Sequence, residues 1–159
     1  MKKFLAMFLA LLGLAKGEPA PKADQWFVAH TDEDGKQVII RARKTPPKPE
    51  EEKSYPWLAV ISWKYRGEKS GMPSSAENQR MYALEDAIEA KMEKKGVCIQ
   101  TASRTGNDRR EWNYYAKTQD EFMAALNAAL AGKPAFPIEI QFFEEPHWES
   151  FRALLAATI

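Results

Sequence analysis

Cysteine is almost absent from this chain. Cys98 is the only one among 159 residues, so no internal disulfide can staple the fold. Its place in a strand-like stretch suits a small buried side chain and not a nucleophile. Histidine is nearly as scarce, with His30 and His147 the whole supply. No Ser-His-Asp set, Cys-His pair, phosphate-binding loop or GxGxxG stands at diagnostic spacing. No cofactor is expected, and an enzyme is not the first expectation. Charge of one sign is lacking too: 23 basic residues meet 22 acidic ones. Such a balance has no general attraction to phosphate backbones, so nucleic acid is not an expected partner. The longest apolar run, Phe4 to Ala15, is too short to span a membrane.

That run has the form of an export signal. Lys2 and Lys3 precede it, and Ala15-Lys16-Gly17 puts small residues where a signal peptidase reads them. Residues 1–17 are expected to be removed after Gly17, with Ala15 and Ala20 as alternative sites. No cysteine follows, so a lipid anchor is excluded and no stable membrane anchor remains after cleavage. The expected address is the periplasm or the secreted space. Losing Lys2, Lys3 and Lys16 takes 23 basic residues to 20 against 22 acidic ones, a net charge of −2. Residues 18–24, with two prolines, read as a mobile tail.

What the chain does have is aromatic surface: 11% of residues, five of them Trp, which argues against disorder. Residues 25–159 are long enough for a single domain with a real core. Its centre is Arg110 to Trp148. Trp112, Tyr114 and Ala116 alternate with Glu111, Asn113 and Tyr115, the period of a strand. Thr118 and Glu121 form a capping box ahead of a helix with Phe122, Met123, Leu126 and Leu130 on its apolar side. Gly132 and Pro134 stop it. Ile138, Ile140 and Phe142 then alternate with Glu139, Gln141 and Phe143. Pro146 suits the first turn of a last helix, 146–159.

The same order occurs once before. A strand at 55–65, a capping box at Ser74 and Glu77, a helix through Met81, Leu84, Ile88 and Met92, a stop at Gly96 and a strand from Val97 precede a turn at 105–108. Residues 55–143 therefore read as β-α-β-β-α-β, an α+β ferredoxin-like sandwich with strand order fourth, first, third, second. Residues 25–43 read as an N-terminal β-hairpin around Asp34-Gly35, with strands at Gln25 to His30 and Gln37 to Arg43, a connection longer than two residues and the turn type open. Residues 44–53, with three prolines and six charges, read as a solvated linker. Both helices would lie on one face of the sheet. The other face is open unless the hairpin, the C-terminal helix or a partner covers it.

The chain resembles the bacterial family filed as domain of unknown function 695. The resemblance runs from about Trp26 to Phe151. It is carried by Trp26-Phe27-Val28 with Asp34-Gly35, by Tyr55-Pro56-Trp57-Leu58, by the run Arg110 to Tyr115, and by Glu145-Pro146-His147-Trp148. An acid such as Asp is more usual at the first position of that last motif, and the third varies. Some members are fused to a domain similar to the ribonuclease E inhibitor B, which implies a regulatory or binding role. An exported chain would not meet a cytoplasmic ribonuclease.

Two sites are expected. Arg104, Arg109 and Arg110 flank the hairpin turn, and Glu144, Glu145 and His147 are expected at the same sheet end. Together they would make a mixed-charge site for a small ligand or substrate. The spacing of Glu144, Glu145, His147 and Glu149 fits no zinc pattern, so no metal is expected. Trp112, Tyr114 and Tyr115, where left on an open sheet face, would mark a partner surface. The favoured expectation is a non-enzymatic interaction or regulatory module that binds a protein, or itself, through the open face. The alternative is a ligand binder or enzyme using the Arg/Glu/His cluster.

Overall fold

The computed structural model describes residues 25–158. The expected export signal, residues 1–17, and the tail, residues 18–24, lie outside them. The described residues form an α+β fold with one antiparallel sheet and four helices. The six strands are β1 (Trp26–Glu33), β2 (Lys36–Arg43), β3 (Trp57–Lys64), β4 (Cys98–Gly106), β5 (Arg109–Ala116) and β6 (Ile138–Glu144). The helices are α1 (Pro49–Ser54), α2 (Ser75–Lys91), α3 (Gln119–Leu130) and α4 (Glu149–Thr158). The sheet order is β1-β2-β4-β5-β3-β6.

The hairpin does not fold over the sheet. It lengthens it, because β2 pairs with β4 from Val38↔Gly106 to Ala42↔Ala102. Asp34 and Gly35 have φ of 53° and 73°. They are the only residues between β1 and β2, so the turn has two residues, shorter than the sequence suggested. The β4–β5 turn is likewise two residues, Asn107 and Asp108, and β4 runs on to Gly106. A Cβ on Gly106 would stand 2.4 Å from the Gln37 carbonyl oxygen. Glycine there lets β2 close on β4.

Alternation along the strands sorts the core into two layers. Ala59, Ile61, Trp63, Trp112 and Tyr114 face α2 and α3, where they meet Met81, Leu84, Ile88, Phe122 and Leu126. The hydroxyl half of each expected capping box forms. The Ser74 hydroxyl accepts from the Glu77 N–H at 3.2 Å, and the Thr118 hydroxyl from the Glu121 N–H at 3.1 Å. The Glu77 carboxylate accepts instead from the indole N–H of Trp63, at 2.6 Å. Cys98 is buried in this layer, and burial pushes its thiol well above the ordinary range, which makes it inert at neutral pH.

The second layer is smaller. Leu58 and Tyr115 point to the opposite face and pack against Trp148, Phe151 and Leu155. The last helix therefore covers part of that face. It starts at Glu149, not at Pro146, because Trp148 takes a positive φ of 53° just before it. The stretch expected as a solvated linker is also more ordered than its composition implied. Pro49–Ser54 is helical, and Glu51 forms an ion pair with Arg43.

Candidate functional site

The two charged groups expected together are at opposite ends of the sheet. Arg109 pairs with Lys64 at one end of β3, and Glu144 pairs with Trp57 at the other. Seven strand steps separate them, roughly 23 Å. The cause is topological. Strands β5 and β6 both run antiparallel to β3, so the start of one cannot adjoin the end of the other.

The arginines are themselves divided between faces. Arg110, 7% exposed, lies on the helix side. Its guanidinium is 2.9 Å from Glu85 and sits over the rings of Trp112 and Tyr82. Arg104 and Arg109 lie on the other face and share Glu33 and Glu111. Asn107 also donates to Glu33, and its hydrogen bond leads the interactions that hold that carboxyl below its usual range. Arg104 Nη1 and Arg109 Nε have no hydrogen-bond partner among the described residues, although both lie within 4.0 Å of Glu111 oxygens. The charges in the network match, two guanidiniums to two carboxylates.

At the far end Glu145 is structural. Its carboxylate accepts from the Tyr115 hydroxyl at 2.7 Å and from the Ser150 N–H at 3.0 Å, satisfying the start of α4. Burial first, then that carboxylate, pushes the Tyr115 hydroxyl far above its ordinary pKa. His147 is exposed and lies 3.9 Å from Glu52, while Glu144 is exposed. Among the described residues, no three His, Cys, Asp or Glu side chains gather where they could hold a metal ion. Trp112, Tyr114 and Tyr115 are buried to 1% exposure or less. They cannot be a partner surface, because the helix layer and α4 cover them.

What the fold does open on the second face is a groove of about 790 Å³ between α4 and the β1–β2 hairpin. Phe27, Ala29 and Ile40 line it from the sheet, and Leu154, Leu155 and Ala157 from the helix. Val28, 59% exposed, stands at its rim on the free edge of β1. Sequence reasoning did not find this site. No local signal marked it, because its two walls, α4 and the hairpin, lie far apart in the sequence.

Most of the sequence, residues 24–156, matches the family described as "Family of unknown function (DUF695)". The chain belongs to that family. No curated protein and no solved structure matches it.

Three of the motifs that carry the resemblance meet at one corner of this DUF695 fold. The Trp148 indole N–H donates to the Tyr55 carbonyl at 2.9 Å. The Glu145 N–H donates to the Pro56 carbonyl at 2.8 Å. Tyr115 and Trp148 stack at 4.1 Å with planes 7° apart. Their joint effect is to seat α4 on the sheet, and so to form one wall of the groove.

Proposed function

We propose that the protein is an exported, non-enzymatic interaction module that binds a protein partner, or a second copy of itself, through the sheet face that α4 leaves partly uncovered. The observation that carries this is the apolar groove between α4 and the hairpin. Its volume is in the range of binding clefts, and its walls are rigid elements. Its lining would be solvated without an occupant. Export is supported by the lysine pair, apolar run and small residues within Met1 to Gly17.

We propose further that β3-α2-β4-β5-α3-β6 is a ferredoxin-like unit to which the hairpin has been added at the β4 edge. The order β6-β3-β5-β4 within the sheet supports it.

Native mass spectrometry of untagged protein from the exported fraction tests the function. The expected result is a chain lacking Met1 to Gly17 that holds a partner or second copy, and a Leu154→Glu variant that does not. A bare monomer in both preparations would overturn the interaction proposal. A mass that retains Met1 would overturn export alone.

A further inference from the structure

Strand β1, which lines the groove beside α4, stands at one end of the sheet order. One of its edges therefore pairs with no described strand. The ladder with β2 determines which backbone groups point that way. The Lys44 N–H donates to the Gln25 carbonyl at 2.7 Å, and the register runs from Trp26↔Arg43 to Glu33↔Lys36. In an antiparallel ladder, pairs that exchange hydrogen bonds alternate with pairs that do not. Gln25 bonds inward to β2, so Phe27, Ala29, Thr31 and Glu33 do too. The two-residue turn at Asp34-Gly35 requires the same of Glu33. Val28, His30 and Asp32 thus turn their N–H and C=O groups to the free edge.

Such an edge is a template for another strand, and natural sheets blunt it with proline, lysine or a bulge. Strand β1 has none of these, and its register with β2 is unbroken. The opposite edge is better protected. Strand β6 follows Pro137 and carries Glu139 and Glu144.

The charges around β1 give an incoming strand a direction. Lys44 lines the groove at the start of β1, where it adjoins Gln25. Its ammonium group has no ion pair or hydrogen bond among the described residues, and no acid is among the residues that line the groove. The exposed Asp32 lies at the other end of β1. A strand antiparallel to β1 ends beside Lys44 and brings a terminal carboxylate to it. A parallel strand would bring that carboxylate towards Asp32. Alternate side chains of the antiparallel strand fall between Phe27 and Ala29 on the sheet and Leu154 and Ala157 on α4.

We infer that the groove receives the free C-terminal tail of a partner protein, added as an antiparallel strand to the open edge of β1. Its alternate side chains are apolar, and its terminal carboxylate sits on Lys44. The inference rests on the proposed interaction groove and names the kind of segment that fills it.

The test begins with a library of random heptapeptides with free C termini, screened against the folded protein. The tightest binder is then synthesised as the acid and as the C-terminal amide. It should carry apolar residues at alternate positions, and the acid should bind roughly tenfold more tightly than the amide. Lys44→Met should remove that difference. The side chain is exposed, so this variant should keep the wild-type melting temperature. In the complex, the Val28, His30 and Asp32 amides should exchange with solvent roughly tenfold more slowly. N-methylation of the peptide amides that face β1 should abolish binding. A library without binders, equal affinities of acid and amide, or β1 amides that gain no protection would each overturn the inference. Native mass spectrometry separates this failure from that of the groove. A partner released by Leu154→Glu but held undiminished by Lys44→Met would preserve the groove and overturn the tail. A partner held by both variants would overturn both.

Discussion

Arg43 is the residue on which three elements depend. It is 1% exposed, at the end of β2. Its Nη1 and Nη2 donate to both oxygens of Glu51 on α1, at 3.1 and 2.8 Å. Its Nε donates to the Thr45 carbonyl at 2.9 Å. Its guanidinium lies 5.6 Å from the rings of Trp148 and Phe151, beside and on α4. A guanidinium so buried is tolerable only while its donors are matched. Burial by itself would raise the Glu51 carboxyl, but hydrogen bonds from Arg43 and the Lys48 N–H hold it below its ordinary value of 4.5. Glu51→Gln should cost roughly 3 kcal/mol in urea denaturation, because it leaves an uncompensated buried charge. Arg43→Met with Glu51→Leu should recover most of that loss. Equal stability of Glu51→Gln and wild type would show that the pair holds nothing. The pH dependence has a definite sign. A carboxyl whose folded pKa is lowered contributes stability above its unfolded pKa and loses it as pH falls through the folded value. Stability should therefore fall below about pH 4.5, and fall less steeply in the Arg43/Glu51 double variant. None of this was legible in the stretch 44–53, where proline and charge masked a helix whose partner lies eight residues upstream.

The elements divide by how local their signals are. The caps at Ser74 and Thr118 and the left-handed stops at Gly96 and Gly132 depend on residues within one turn, and the structure contains each of them. Turn lengths were less legible, because a polar residue such as Thr31 or Asp32 can continue a strand once a partner supplies its hydrogen bonds. Strand β1 pairs through Glu33, which reduces a long connection to Asp34 and Gly35. Two glycines separate conformational cost from steric cost. Gly35 has φ of 73° and open space around its Cβ position, so Gly35→Ala should cost about 1 kcal/mol. Gly106 combines φ of 142° with a Cβ position that would stand 2.4 and 2.9 Å from Gln37 and Val38 backbone atoms. Those atoms can withdraw only by opening the β2–β4 ladder. Gly106→Ala should cost roughly 3 kcal/mol. Parallel urea titrations of the two variants check the contrast, and equal losses would mean that the ladder yields easily.

At the scale of the molecule, the sheet joins what the sequence presents as two parts, a hairpin and a repeated βαβ pattern. The alternation of Trp112 and Tyr114 with Asn113 and Tyr115 marked both faces of β5, but no local signal could say that β2 would seat on β4. Nor could strand composition reveal that Arg109 and Glu144 end far apart, since that depends on strand direction and not on residue type. The join has a testable consequence. Val38 and Ala42 are buried at 1% and 0%, and Arg43 ties the hairpin to α1 and α4. Removing residues 25–43 would bare the outer edge of β4 and leave Glu51 without its guanidinium. An unpaired strand edge is an aggregation template. The truncated chain should lose its single cooperative unfolding transition and associate through β4, as read by circular dichroism and light scattering. A truncated chain that stayed monomeric with the wild-type urea midpoint would show that β3 to β6 stand alone and that the hairpin is an appendage. Because the hairpin also supplies Phe27 and Ile40 to the groove, its docking on β4 is the step that forms it.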